Sequence, residues 1–233
     1  MSRREELAAN LEATRNRIAD ACASAGRPAG DVTLVAVTKT WPASDVRLLA
    51  ELGIGDVGEN RDQEAREKHE ACADLGLRWH FVGQLQSNKV SSVATYADVV
   101  HSVDRPSLVR ALGRAAQQHD RELVALVQVS LDAAGESHRG GALPDEALRL
   151  ADEVATTDGL VLGGLMAVAP LDGDAADAFA RLAVVAGRLR RAHPQATTIS
   201  AGMTGDLEPA IHNGATHVRV GTALLGRRSA PVG

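Results

Sequence analysis

Eight short apolar runs, each followed by a stretch of helical pattern, constrain this chain more than any other feature. The first is Val32-Thr33-Leu34-Val35-Ala36-Val37-Thr38-Lys39-Thr40-Trp41, bounded by Gly30-Asp31 and Pro42. Its β-branched residues favour a strand, and its nearly continuous apolar character fits a strand covered on both faces, as in parallel sheets. Further runs follow at 54–60 (IGDVGEN), 78–83 (RWHFVG), 98–104 (DVVHSVD), 122–131 (ELVALVQVSL), 160–168 (LVLGGLMAV), 197–203 (TTISAGM) and 216–221 (THVRVG). Their ends fall near residues 39, 60, 83, 104, 131, 168, 200 and 221. Strands alternating with helices at this rhythm imply parallel βαβ units and, most simply, an α/β fold closed as a single (β/α)₈ TIM barrel.

The intervening segments read as helices over 2–25, from a cap at Ser44 through Leu52, over 61–75, briefly after a cap at Ser87, and over 106–119, 144–156 and 175–193. Little chain remains after Gly226, so the last helix must be brief. The helical segment within 1–27 is expected to pack on the barrel beside the eighth strand. Nothing marks a linker, so 1–233 reads as one domain.

Composition narrows the function. A formal net charge of −5 and 2% aromatic residues argue against nucleic-acid or anionic-membrane surfaces. No apolar run approaches the roughly 20 residues of a membrane span, and Met1-Ser2-Arg3-Arg4-Glu5-Glu6 lacks a signal peptide's apolar core. With only Cys22 and Cys72, neither a disulfide framework nor a zinc site is expected. The chain reads as a soluble, cytoplasmic monomer.

In such a barrel the carboxyl ends of the strands converge on one mouth. There they bring Lys39, Glu59-Asn60, His80 with Gly83, Asp104, Met166, the segment Ser200-Ala201-Gly202-Met203-Thr204, and Arg219-Val220-Gly221-Thr222. A lysine at a strand end can be partly desolvated and so freed to attack a carbonyl; the alternative is a solvated lysine that merely ends a strand. Gly221, Thr222, Ser200 and Gly202 form a candidate phosphate cradle on two adjacent strands, against the reading of ordinary turns and caps. Arg219 lies in an apolar run and needs a partner, either a ligand or a strand-end carboxylate such as Glu59 or Asp104. His80, between Trp79 and Phe81, reads as a packed, hydrogen-bonded histidine, and Asn60 can equally be a helix cap. One ligand accounts for an amine, a phosphate cradle and a fixed cation together: pyridoxal 5′-phosphate, held as an imine on Lys39.

The ordered motifs Leu34–Thr40 (LVAVTKT), Gly58-Glu59-Asn60, Trp79–Lys89 (WHFVGQLQSNK), Gly164-Leu165-Met166, Ser200–Asp206 (SAGMTGD) and Val218–Gly226 (VRVGTALLG) give the chain a family likeness. It resembles the pyridoxal phosphate homeostasis proteins, whose barrel is similar to the N-terminal domain of alanine racemase. The resemblance implies Lys39 as the Schiff-base lysine. It places Ser200, Gly202, Met203, Thr204, Gly221 and Thr222 at the phosphate, Arg219 against the pyridine nitrogen and Asn60 near the ring. Two departures stand out. His138 replaces the usual lysine in Glu136-Ser137-His138-Arg139-Gly140, and Ala201, Thr204 and Gly205 differ from the usual seventh-strand motif.

The expected function is therefore a pyridoxal phosphate carrier in vitamin B6 homeostasis, without major catalytic activity, whose recipients are pyridoxal phosphate-dependent apo-enzymes. The alternatives are a small racemase using the same cofactor, and a class I aldolase using Lys39 directly. Against the racemase, the chain has a single tyrosine, Tyr96, placed before the fourth strand.

Overall fold

The computed structural model describes residues 1–132 and 140–226. Its eight strands are β1 (Thr33–Val37), β2 (Asp56–Glu59), β3 (Arg78–Phe81), β4 (Val99–Val103), β5 (Leu123–Gln128), β6 (Leu160–Met166), β7 (Thr198–Ser200) and β8 (His217–Val220). They are all parallel and close in sequence order, β8 pairing with β1 through Val35 opposite Arg219. The helices are α1 (Arg3–Ser24), α2 (Ala43–Glu51), α3 (Asp62–Ala71), α4 (Val90–Tyr96), α5 (Pro106–Gln118), α6 (Pro144–Ala155), α7 (Ala175–Ala192), α8 (Leu207–His212) and α9 (Thr222–Leu225). The chain is an α/β TIM barrel.

Period-two alternation sorts the strand residues. On β1, Ala36 faces the helices with Val46, Leu49 and Leu7. Across the barrel, Val99, Leu126 and Met166 fill the interior. The helical layer divides into two apolar clusters. One joins α4 to α7 with β4 to β6 around Phe179, Leu108 and Leu182. The other joins α1, α2 and α8 to β1, β2 and β8.

Helix α1 closes the second cluster. A reciprocal capping box starts it: the Glu5 N–H donates to Ser2 Oγ at 3.2 Å and the Ser2 N–H to Glu5 Oε2 at 2.7 Å. Leu7, Leu11, Ile18 and Cys22 bury one stripe against Val46, Leu207, Ile211 and Leu224. Each such leucine stabilises by about 1.5–3 kcal/mol. Side chains of α1 also satisfy the carbonyl ends of its short neighbours: Arg3 donates to Leu225 O at 3.0 Å and Asn10 to Leu224 O at 3.0 Å. The long N-terminal helix thus covers the side of the barrel where α9 has only one turn.

Ser44 does not cap α2; Pro42 holds that position with no side-chain bond, and Ser44 lies within the helix. Ser87 opens a 3₁₀ turn rather than capping α4. Helix α8 was not foreseen, because Pro209 sits in its middle. In so short a helix, proline displaces little hydrogen bonding.

Candidate cofactor site

Strand β1 ends at Val37, and Lys39 follows in an exposed turn. Among the described residues nothing hydrogen-bonds or ion-pairs with its ammonium. The turn around it is clamped from behind. Lys68, 5% exposed, donates to Thr38 O at 2.6 Å, Glu59 Oε1 at 2.8 Å and Glu64 Oε1 at 2.6 Å. Thr38 Oγ1 donates to Glu59 Oε1 at 2.5 Å, and the Thr40 N–H donates to Glu64 Oε1. Both neighbours of Lys39 are therefore tied to one buried lysine and its carboxylates. Thr40 has φ of +68°, an uncommon conformation for a β-branched residue and one held only by its surroundings. Burial raises the pKa of Glu59, opposed by the charge and hydrogen bond of Lys68, and its Oε2 has no partner.

Arg219, on β8, is buried inside the barrel. It donates through Nη1 to Ser200 Oγ at 2.6 Å and through Nη2 to Ala167 O at 3.0 Å. No carboxylate pairs with it among the described residues: Glu59 is taken by Lys68, and Asp104 by Arg105 at 2.6 Å. Among the described residues the salt-bridge alternative therefore finds no carboxylate. Burial lowers its pKa to about 10, with Asp206 acting in the opposite direction, so the guanidinium remains a cation at neutral pH.

The loops after β7 and β8 are stitched together beside it. The Arg219 N–H donates to Gly202 O at 2.9 Å, the Ala223 N–H to Thr204 Oγ1 at 3.2 Å and the Met203 N–H to Asp206 Oδ1 at 2.6 Å. Gly202 has φ of +91°, which favours glycine. A Cβ on Gly221 would stand 3.2 Å from Val37 O, so the ends of β8 and β1 approach closely. On the other side of β1, Asn60 is exposed just past β2. A Cβ on Gly83 would stand 2.2 Å from Asn60 O, so only glycine fits there. A cleft of about 400 Å³ opens beside Asn60, lined also by Gln63, Gln84 and Lys89.

The structure brings the expected residues to the carboxyl ends of four consecutive strands, β7, β8, β1 and β2. Lys39, Asn60, Met203 and Thr222 are exposed, Thr204 and Gly221 half-buried, and Ser200, Gly202 and Arg219 buried. Ser200 differs from its neighbours: its hydroxyl lies between Arg219 and His101, turned into the barrel. His80 is packed and hydrogen-bonded, to His101 and Asp56. The sequence reading passed over His101 and the Glu59–Lys68–Glu64 cluster. Only the i, i+4 spacing of Glu64 and Lys68 hinted at the latter. Residues 136–139, including His138, lie outside the described residues.

A family model of the alanine racemase N-terminal domain matches residues 9–229. A pyridoxal phosphate homeostasis protein of Mycobacterium tuberculosis is 44% identical over 245 residues, covering 97% of this chain and 94% of the relative. The chain belongs to this family. Among solved structures, PipY of Synechococcus elongatus with PLP bound superposes with a TM-score of 0.82 at 33% identity, covering 94% of this chain and 100% of PipY. Alanine racemase of Clostridium difficile shares the fold, at a TM-score of 0.75 and 14% identity, over 97% of this chain and 61% of the racemase.

Proposed function

We propose that the protein binds pyridoxal 5′-phosphate, holds it as a Schiff base on Lys39, and serves vitamin B6 homeostasis by passing it to apo-enzymes. The observation that carries this reading is a pair of cations at one mouth: among the described residues, an exposed Lys39 has no partner and a buried Arg219 no carboxylate. A buried guanidinium with donors to spare calls for an acceptor from a ligand. The cofactor fits, because it brings an aldehyde, a ring nitrogen and a phosphate, and when bound it supplies electron withdrawal. PLP in the relative PipY supports the same reading.

Each residue has a task. Lys39 is the nucleophile, and the clamp on Thr38 and Thr40 fixes its turn without neutralising its amine. Thr204, Thr222 and the backbones of Gly202, Met203 and Gly221 would hold the phosphate, with Ser200 behind them, while Asn60 would lie near the ring. Arg219 would donate to the ring nitrogen. A guanidinium cannot hand that nitrogen a full proton, which leaves the ring a weak electron sink.

Racemization also needs a base on each face of the substrate. Tyr96 is the chain's one tyrosine. It is buried in the helical layer with its hydroxyl on Asp62 Oδ1 at 3.4 Å, and burial raises its pKa. The placement of Tyr96 supports a carrier over a racemase. The test is the visible spectrum of the purified protein: a lysine-bound cofactor band is expected, fixed by borohydride onto Lys39 alone. Recovery of the label on Lys68 or Lys89 would refute the assignment. Turnover of L-alanine at about 1 s⁻¹ or faster, typical of working enzymes, would make the protein a racemase.

A further inference from the structure

A line of hydrogen-bonded side chains runs through the barrel interior and ends on Arg219. Asp56, at the amino end of β2, meets His80 Nε2 at 2.9 Å. His80 Nδ1 meets His101 Nε2 at 2.8 Å, and His101 Nδ1 meets Ser200 Oγ at 3.0 Å. Ser200 Oγ in turn accepts from Arg219 at 2.6 Å. His80, His101 and Ser200 are at most 1% exposed. Asp56 opens on a hollow of about 520 Å³ at the other end of the barrel, lined also by Arg15 and Asn16.

The direction of this line is determined by its ends. A guanidinium only donates, so Ser200 Oγ accepts from Arg219; and because the Asp56 carboxylate takes the Nε2 proton of His80, with both histidines neutral the Ser200 hydrogen goes to His101 Nδ1. A neutral His101 then carries its proton on Nε2 and donates to His80 Nδ1. His80 in turn donates from Nε2 to the Asp56 carboxylate. Every bond has one donor and one acceptor, leading from a buried cation to a distant anion, and such chains polarise each member. Burial above all keeps His101 neutral. The other charged or titratable groups near the line are Arg78, His217 and Asp206.

We propose that Asp56, His80 and His101 are positioning residues for the cofactor, aiming Arg219 at the ring nitrogen by fixing the hydroxyl of Ser200. The inference rests on the pyridoxal phosphate reading above. Apart from Ser200, the one side-chain bond of Arg219 among the described residues is to Ala167 O. An apolar residue at 101 would leave the Ser200 hydroxyl hydrogen and His80 Nδ1 without partners, so that the hydroxyl no longer holds one orientation and the guanidinium bonded to it is free to shift.

The test compares pyridoxal 5′-phosphate with its 1-deaza analogue, in which a C–H replaces the ring nitrogen. For wild type, His101→Phe and His101→Gln, dissociation constants are measured by spectral titration of the folded protein. His101→Phe is expected to weaken the natural cofactor about tenfold or more, the scale of one hydrogen bond to a charged group, and to leave the deaza analogue unaffected. His101→Gln, which can both accept and donate, is expected to restore most of the difference. Equal weakening of both ligands, or none, would overturn the positioning role. Should His101→Phe not fold, Asp56→Asn at the open end serves in its place, with a smaller loss confined to the natural cofactor. Independently, ¹⁵N NMR of the wild-type protein should find both His80 and His101 protonated on Nε2, and the opposite tautomers would overturn the chain. Wild-type protein that binds neither ligand would sink the cofactor reading itself, a result distinct from binding without discrimination.

Discussion

Lys39 and Lys68 stand on opposite sides of one turn and have opposite surroundings. Lys39 is exposed and its ammonium touches no acceptor among the described residues, whereas Lys68 is buried against Thr38 O, Glu59 and Glu64. A paired, buried ammonium is a structural cation, tied to the acids around it. An unpaired one beside a concave mouth is available for chemistry. Reactivity here is set by what each amine lacks, and residue type alone does not decide it. Arg219 belongs with Lys39 in this respect, being a cation without an acid among the described residues.

The sharpest way to break this comparison is to remove each amine in turn. Lys39→Ala should abolish covalent retention of pyridoxal phosphate, with the denaturation midpoint unchanged. A large loss of stability would show that Lys39 is structural after all. Lys68→Met should do the reverse: it strands a buried carboxylate, and urea denaturation should show a loss of about 3–5 kcal/mol. The folded-state pKa of Glu59 is already raised by burial. Without Lys68 it rises further, so this deficit should grow as pH rises and shrink toward acid, where Glu59 is neutral in both states. A deficit independent of pH would argue against the buried charge as its cause.

The histidines on the barrel strands extend the contrast. Burial, then His80, lowers the pKa of His217 to about 4. Its unfolded value is roughly 6.5, so the unfolded chain takes up a proton that the folded one refuses. Stability should therefore fall as pH drops from roughly 6.5 through 4, by up to roughly 3 kcal/mol from this group. Chemical denaturation of wild type and His217→Leu across that range should show a shallower acid limb in the variant. The smallest effect is expected at the rim. Thr222→Ala should cost about 1.5–3 kcal/mol in binding the phosphorylated cofactor and leave unphosphorylated pyridoxal unaffected. Equal loss for both would assign Thr222 to the fold.

The strands and the free lysine were legible for local reasons. The Val- and Thr-rich run before Lys39 and the glycines at 202 and 221 express themselves in sequence through branching, apolar continuity and turn chemistry. Caps were less legible: Ser44 has the right side chain, but Pro42, already extended at the cap position, starts α2 two residues earlier. Helix α8 hid behind Pro209. The role of Ser200 was only half legible, because its strand-end position suggested a phosphate ligand while its hydroxyl bonds sideways and inward.

The sequence by itself determined the closed parallel barrel and the set of strand ends at its mouth, since period and spacing are properties of neighbouring residues. Tertiary structure alone decided which charged groups meet. Glu59 and Lys68 lie 9 positions apart, and His101 and Ser200 lie 99 apart. Whether two such groups touch depends on barrel closure and strand register, which no local pattern encodes. Closure directed Lys68 to Glu59 and Glu64, and Arg105 to Asp104, and so left Lys39 and Arg219 without acids among the described residues.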